Sequence, residues 1–153
     1  MDKYTQKDQQ GQSKVVNELH KIFSACTLTI DQHYLDKSTV DIYVTATTQT
    51  GKESYYAIEA KDRDYNHNTF NDYILEIPKY NELIKKVKYK PLYVNTFKDN
   101  WMTIWNLNDI DVNTVKKEYR YLPKVTVEDK GKEWRWVYFV APETSIYNKK
   151  FIS

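Results

Sequence analysis

Short runs in which β-branched and aromatic residues alternate with polar ones fill most of the chain, and helical spacing replaces them in two places. Residues 27–33, 40–44, 54–61, 91–97, 101–107 and 133–140 read as strands on this pattern. Val15, Leu19, Ile22 and Phe23 recur at helical spacing over about 14–24, with Ser13 in the N-cap position. Residues 1–11 read as a frayed tail. Tyr73, Ile74, Ile77, Tyr80, Leu83, Ile84 and Val87 mark a second helical stretch over about 70–88. Pro78 should divide it, with a helix starting near that proline, which a first turn tolerates. Near the C-terminus, 124–127 and 133–140 flank the turn-rich Glu128-Asp129-Lys130-Gly131-Lys132, a hairpin pattern. The fold class is therefore α/β: a mixed sheet flanked by helices. The 153 residues form one domain, with a core at about 13–107 and a C-terminal extension at 108–153 that carries the hairpin.

One pair of strands carries chemistry. Glu59 and Lys61 lie two apart and share a face of their strand, while Ile58 and Ala60 point the other way. The turn at 49–52 folds the strand of Asp41 back alongside, so Asp41 can sit next to Glu59. Two carboxylates and an ammonium then converge at one edge of a sheet. Mg²⁺ suits such a donor set, because it keeps several waters and binds through one or two carboxylates plus substrate phosphate. A lysine beside it can orient or deprotonate a water, or offset charge on phosphate. The bland alternative is an exposed Glu59–Lys61 ion pair of little energetic weight, which leaves the position of Asp41 unexplained. Glu128-Asp129-Lys130 repeats the Glu-x-Lys spacing in a turn without a partner acid, so the spacing alone means little.

Asp41 on one strand, Glu59-Ala60-Lys61 after a hairpin, and Glu18 on the preceding helix together resemble the PD-(D/E)XK nuclease superfamily. That superfamily includes restriction endonucleases, Holliday junction resolvases and phage recombination exonucleases, and the resemblance spans about residues 13–107. It implies a restriction endonuclease-like core and a Mg²⁺- or Mn²⁺-dependent deoxyribonuclease. Asp41 and Glu59 would be metal ligands, with the Ala60 backbone carbonyl as a third, Lys61 the water-positioning lysine, and Glu18 an accessory carboxylate. Val40 stands where the family name has proline. Glu76 to Tyr80 has the spacing of the Gln-x-x-x-Tyr found in exonuclease members, with Glu for Gln, and the resemblance favours an endonuclease. Arg63, Lys79, Tyr80 and Arg135 are the candidate DNA contacts.

Charge adds a mild argument. Residues 1–70 hold 8 Lys/Arg against 10 Asp/Glu and residues 71–153 hold 15 against 11, so an acidic half precedes a basic one. Asp62, Asp64 and His67 follow the Glu-x-Lys strand and could add ligands or phosphate contacts. The lone Cys26 excludes an internal disulfide and a cysteine-based zinc site. Trp134, Trp136 and Tyr138 share one face of the last strand, and such aromatics either cap a core or stack on bases. A polar N-terminus without a signal-like apolar stretch, and no apolar window of membrane-spanning length, point to the cytoplasm and away from membranes. A homodimer would supply one site for each strand of a duplex. Two other readings stay open: a catalytically inactive nucleic-acid-binding module of the same fold, and an interaction protein of a phage or mobile element.

Overall fold

The structure, a computed structural model, describes residues 3–33, 40–123 and 131–151. Nine strands and two helices form within them: α1 (Lys3–Ile22), β1 (Thr27–Gln32), β2 (Ile42–Thr47), β3 (Glu53–Asp62), β4 (Tyr73–Glu76), α2 (Ile77–Ile84), β5 (Lys90–Thr96), β6 (Trp101–Asn106), β7 (Lys117–Pro123), β8 (Lys132–Val140) and β9 (Tyr147–Lys150). They make a mixed six-stranded sheet ordered β1-β2-β3-β5-β6-β9 and a three-stranded sheet ordered β4-β8-β7. The described helices include none long and apolar enough to cross a membrane.

β1, β2 and β3 form an antiparallel meander. Gly51 closes the β2–β3 turn at φ 85°, a left-handed conformation that glycine adopts at no steric cost. The chain then leaves the sheet through β4 and α2 and returns as β5, parallel to β3 with Glu59 opposite Tyr93. Period-two alternation sorts the side chains into two cores. Ile42, Val44, Ile58, Leu92 and Val94 face α1, where they pack on Val15 and Leu19. Ala57, Tyr93 and Trp105 face the other way, against Tyr73, Leu75, Leu83, Tyr138 and Val140 from α2 and the small sheet.

Three differences from the sequence reading have physical causes. First, α1 begins at Lys3, not near 14, and Ser13 lies inside it instead of capping it. Its N-terminal half is tied to the end of β3 by Lys7–Asp64 at 2.9 Å and Lys14–Asp62 at 3.1 Å. Gly11 backs closely onto Asp62, where an added Cβ would lie 3.1 Å from the Asp62 Cβ. These long-range contacts are invisible to local periodicity. Second, residues 73–76 are a strand. Tyr73 and Leu75 are buried and Ile74 and Glu76 half-buried, and β4 pairs with β8 from Tyr73↔Val140 to Glu76↔Val137. Tertiary pairing overrides the helical spacing there, while α2 does take Pro78 into its first turn. Third, the partner of β8 is β7, which the sequence reading left without an element; the expected strand at 124–127 and the turn residues Glu128 to Lys130 lie outside the described residues. Nor is the last third a mere extension, because β8 joins β4 and β9 forms an edge of the main sheet.

The strand assignment of 73–76 yields a stability contrast. Leu75 is 1% exposed, whereas Val87, at the end of the helical stripe, is 94% exposed. Leu75→Ala should cost about 2–5 kcal/mol in urea unfolding, and Val87→Ala within about 0.5 kcal/mol. Comparable losses for the two would mean that the segment is not arranged this way.

Candidate functional site

Asp41 lies just before β2, and its backbone is fixed on both sides: its N–H donates to the Ile58 carbonyl at 3.1 Å and its carbonyl accepts from His33 N–H at 2.8 Å. That register sets its side chain against β3, where Oδ2 accepts from the Ala60 backbone N–H at 2.8 Å. The N–H and C=O of one strand residue leave the same edge, so the Ala60 carbonyl is directed toward Asp41 as well. Glu59 is 2% exposed. Lys61 Nζ stands 3.5 Å from its Oε1 and Lys79 Nζ 3.7 Å from its Oε2. Oε2 is buried with no hydrogen-bond partner.

The electrostatics follow from burying two acids together. Burial, and then the negative charge of Glu59, push the Asp41 carboxyl up to about 7; the Ala60 N–H, Lys61 and Lys79 offset this only in part. Burial alone would lower the Lys61 ammonium, but Glu59, Tyr93 and Asp41 outweigh it and hold the group above its ordinary value. Lys61 is therefore a cation at neutral pH and suited to orienting water or phosphate, not to removing a proton.

A cleft of about 160 Å³ opens beside Glu59. Lys61, Arg63, Lys79 and Arg135 line it with Glu59 and Glu76, so four cations face two carboxylates. Asp41 is set back from the cleft wall. Arg63 is held by neutral acceptors: its Nε donates to Asn95 Oδ1 at 2.6 Å, and its Nη2 to the Tyr93 hydroxyl at 2.8 Å and the Ile74 carbonyl at 3.2 Å. Arg135 reaches across from β8, with Nη1 on Glu76 and Nε donating to Glu133 at 2.7 Å.

The structure thus brings together Asp41, Glu59, Ala60, Lys61, Arg63, Lys79 and Arg135. It does not bring Glu18 or Tyr80 to them. Glu18 is buried on the α1 side of the main sheet, where it accepts from the Tyr147 hydroxyl at 2.9 Å and pairs with Lys21 at 3.5 Å. The Tyr80 ring packs edge-on to Tyr138 at 5.2 Å, in the core beside α2. Asp62, Asp64 and His67 are engaged elsewhere, with Lys14, Lys7 and, at 2.6 Å, Asp99. Tyr93 and Asn95 belong to the site and were missed, and Glu76, noted only for its spacing to Tyr80, lines the cleft and pairs with Arg135. The parallel register that sets Tyr93 beside Glu59 and Asn95 beside Lys61 leaves no local signal.

Among the described residues no group of three or more His, Cys, Asp or Glu side chains is placed to hold a metal ion. Two carboxylates with a backbone carbonyl nevertheless fit Mg²⁺, which needs only one or two protein carboxylates and completes its shell with water and phosphate. The orphaned Glu59 Oε2 and the proton-retaining Asp41 carboxyl are what such a pair shows when its negative charge is incompletely neutralised. No protein-family model, no curated protein and no solved structure matches this chain.

The raised Asp41 carboxyl makes stability depend on pH. In the unfolded chain it ionises near 3.8, and in the fold near 7. The folded form binds the extra proton in between, so this contribution is full below about pH 4 and is lost as pH rises through 7. Asp41→Asn should remove that decline, up to about 1.4 kcal/mol per pH unit, and leave the variant more stable than wild type above pH 7 in metal-free buffer. Urea melts with the same pH slope for both proteins would contradict the raised Asp41 carboxyl.

Proposed function

We propose that this chain is a Mg²⁺- or Mn²⁺-dependent nuclease of the PD-(D/E)XK type, with a restriction endonuclease-like core, that cuts within DNA strands. The observation that carries the reading is the convergence of Asp41, Glu59 and Lys61, with Glu59 and Lys61 in the wall of a cleft whose other sides bring Arg63, Lys79 and Arg135. A phosphodiester needs both parts: a hard-cation site beside a positioned cation, and positive charge to hold the phosphates.

Asp41 and Glu59 would hold the ion, with the Ala60 carbonyl as a third oxygen. When bound, the ion supplies Lewis-acid activation of the phosphate and of a water. Lys61, kept protonated by its acidic neighbours, orients the water and offsets the charge that builds on the phosphoryl oxygens. Arg63 is hydrogen-bonded to neutral acceptors and feels Glu76 only at longer range, and it serves as the phosphate clamp. The Arg135 guanidinium is shared with two carboxylates and is worth less to phosphate. Lys79, 3.7 Å from Glu59 Oε2 in the cleft wall, offsets that carboxylate and adds positive charge for phosphate.

One observation favours a second reading. Each Glu59 oxygen already faces an ammonium within 4 Å, and an acid neutralised this way leaves a cationic cleft that binds nucleic acid without cutting it. Cleavage of labelled duplex, single-stranded, flap and four-way-junction DNA separates the two. The nuclease reading expects cutting in Mg²⁺ or Mn²⁺, none in EDTA, and rates reduced by about 10²–10³-fold in Glu59→Gln and Lys61→Ala. Binding that survives EDTA, falls steeply with salt and is never followed by cutting would sink it in favour of the binding module.

A further inference from the structure

The outer half of the β7–β8 ladder presents four large rings to solvent: Tyr119, Tyr121, Trp134 and Trp136 are 51%, 53%, 58% and 49% exposed. Tyr119 stands opposite Trp136 and Tyr121 opposite Trp134, so all four project from one face. Tyr119 stacks on Trp136 at 5.1 Å with ring planes 10° apart, and Trp134 lies 5.2–5.3 Å from both tyrosines. The inner end of the same face is anchored in the core through Tyr138, so the rings stand on a rigid base.

The charges of the two strands are sorted between their faces. Lys117 and Lys132 fall on the ring face, with Lys117 Nζ 5.2 Å from the Trp136 ring centre and Lys132 Nζ 5.9 Å from that of Tyr121. Both carboxylates, Glu118 and Glu133, fall on the opposite face, where they pair with Arg120 and Arg135. Among the described residues of the two strands, the ring face thus offers aromatic planes and ammonium groups and no acid. A second copy of this chain fits it poorly, since its own lysines would meet these lysines with no carboxylate between them. Unpaired bases flanked by phosphates fit it well: rings stack on any base, and lysines meet the backbone. The cleft meets these strands mainly on their other face, through Leu122 and Arg135, with Pro123 at the end of β7 reaching it from the ring side.

We infer that this face is a stacking platform for single-stranded nucleic acid. The inference goes beyond the nuclease reading and does not depend on it, since binding is measurable without cutting.

The test uses oligothymidylate and oligouridylate of roughly 16 nucleotides, the upper end of a single-module site, followed in EDTA by anisotropy and tryptophan quenching, with a blunt duplex as reference. The two oligonucleotides distinguish DNA from RNA. Trp134→Ala and Trp136→Ala should each weaken single-strand binding about ten-fold and barely change duplex binding, while Trp136→Phe keeps most of the affinity. Glu59→Gln should retain single-strand binding while losing cleavage, so a failed nuclease reading and a failed platform are told apart. The platform is overturned if Trp134→Ala and Trp136→Ala, shown folded by circular dichroism, bind the oligonucleotides as wild type does, or if wild type binds neither. It is equally overturned if the substitutions instead abolish a dimer seen by sedimentation, or abolish binding to anionic phospholipid vesicles, with oligonucleotide affinity unchanged.

Discussion

Two carboxylates held side by side under the surface are the constraint around which the rest of the site is organised. Asp41 and Glu59 sit on adjacent strands in a place too dry for both to ionise freely, and Asp41 answers by keeping a proton to about pH 7. Everything near them limits the cost of that arrangement. The Ala60 N–H bonds Asp41, while Lys61 and Lys79 approach Glu59 from its two oxygens. Like charges forced together are expensive unless a cation joins them, and structural stability offers no reason to retain the pair. On the proposed reading, the reason is the ion.

The position of β3 makes this possible. It has an antiparallel neighbour, β2, on one side and a parallel neighbour, β5, on the other. The antiparallel partner delivers Asp41; the parallel one delivers Tyr93 and Asn95, which seat Arg63. The parallel connection requires a crossover, and that crossover carries Lys79 on α2 and Glu76 on β4. Glu76 in turn receives Arg135 from the small sheet. Residues from five separate stretches thereby wall one cleft.

How far the sequence discloses this depends on the range of the interaction. The Asp41–Glu59–Lys61 convergence is legible because a hairpin turn and period-two alternation fix it locally, and β5 and β6 are legible from their β-branched and aromatic residues. The strand at 73–76 is not: Tyr73, Ile74 and Ile77 satisfy helical spacing equally well, and only pairing with β8, 67 residues on by the Tyr73↔Val140 register, decides the matter. The N-terminal half of α1 is lost for the same reason, its anchors being Asp62 and Asp64. Glu18 shows the opposite error: a helix position bordering the buried stripe suggests reach toward the site, but α1 covers the far face of the sheet and the carboxylate turns to Tyr147.

The most direct measurement is calorimetric titration of Mn²⁺ into metal-free protein near pH 7, repeated in buffers of different ionisation enthalpy, with Glu59→Gln alongside. The account predicts binding in the millimolar range or tighter, accompanied by release of the Asp41 proton to the buffer, and lost in the variant. Absence of binding, or a signal that is proton-neutral and unchanged in Glu59→Gln, would contradict the claim that the acidic pair is a metal site.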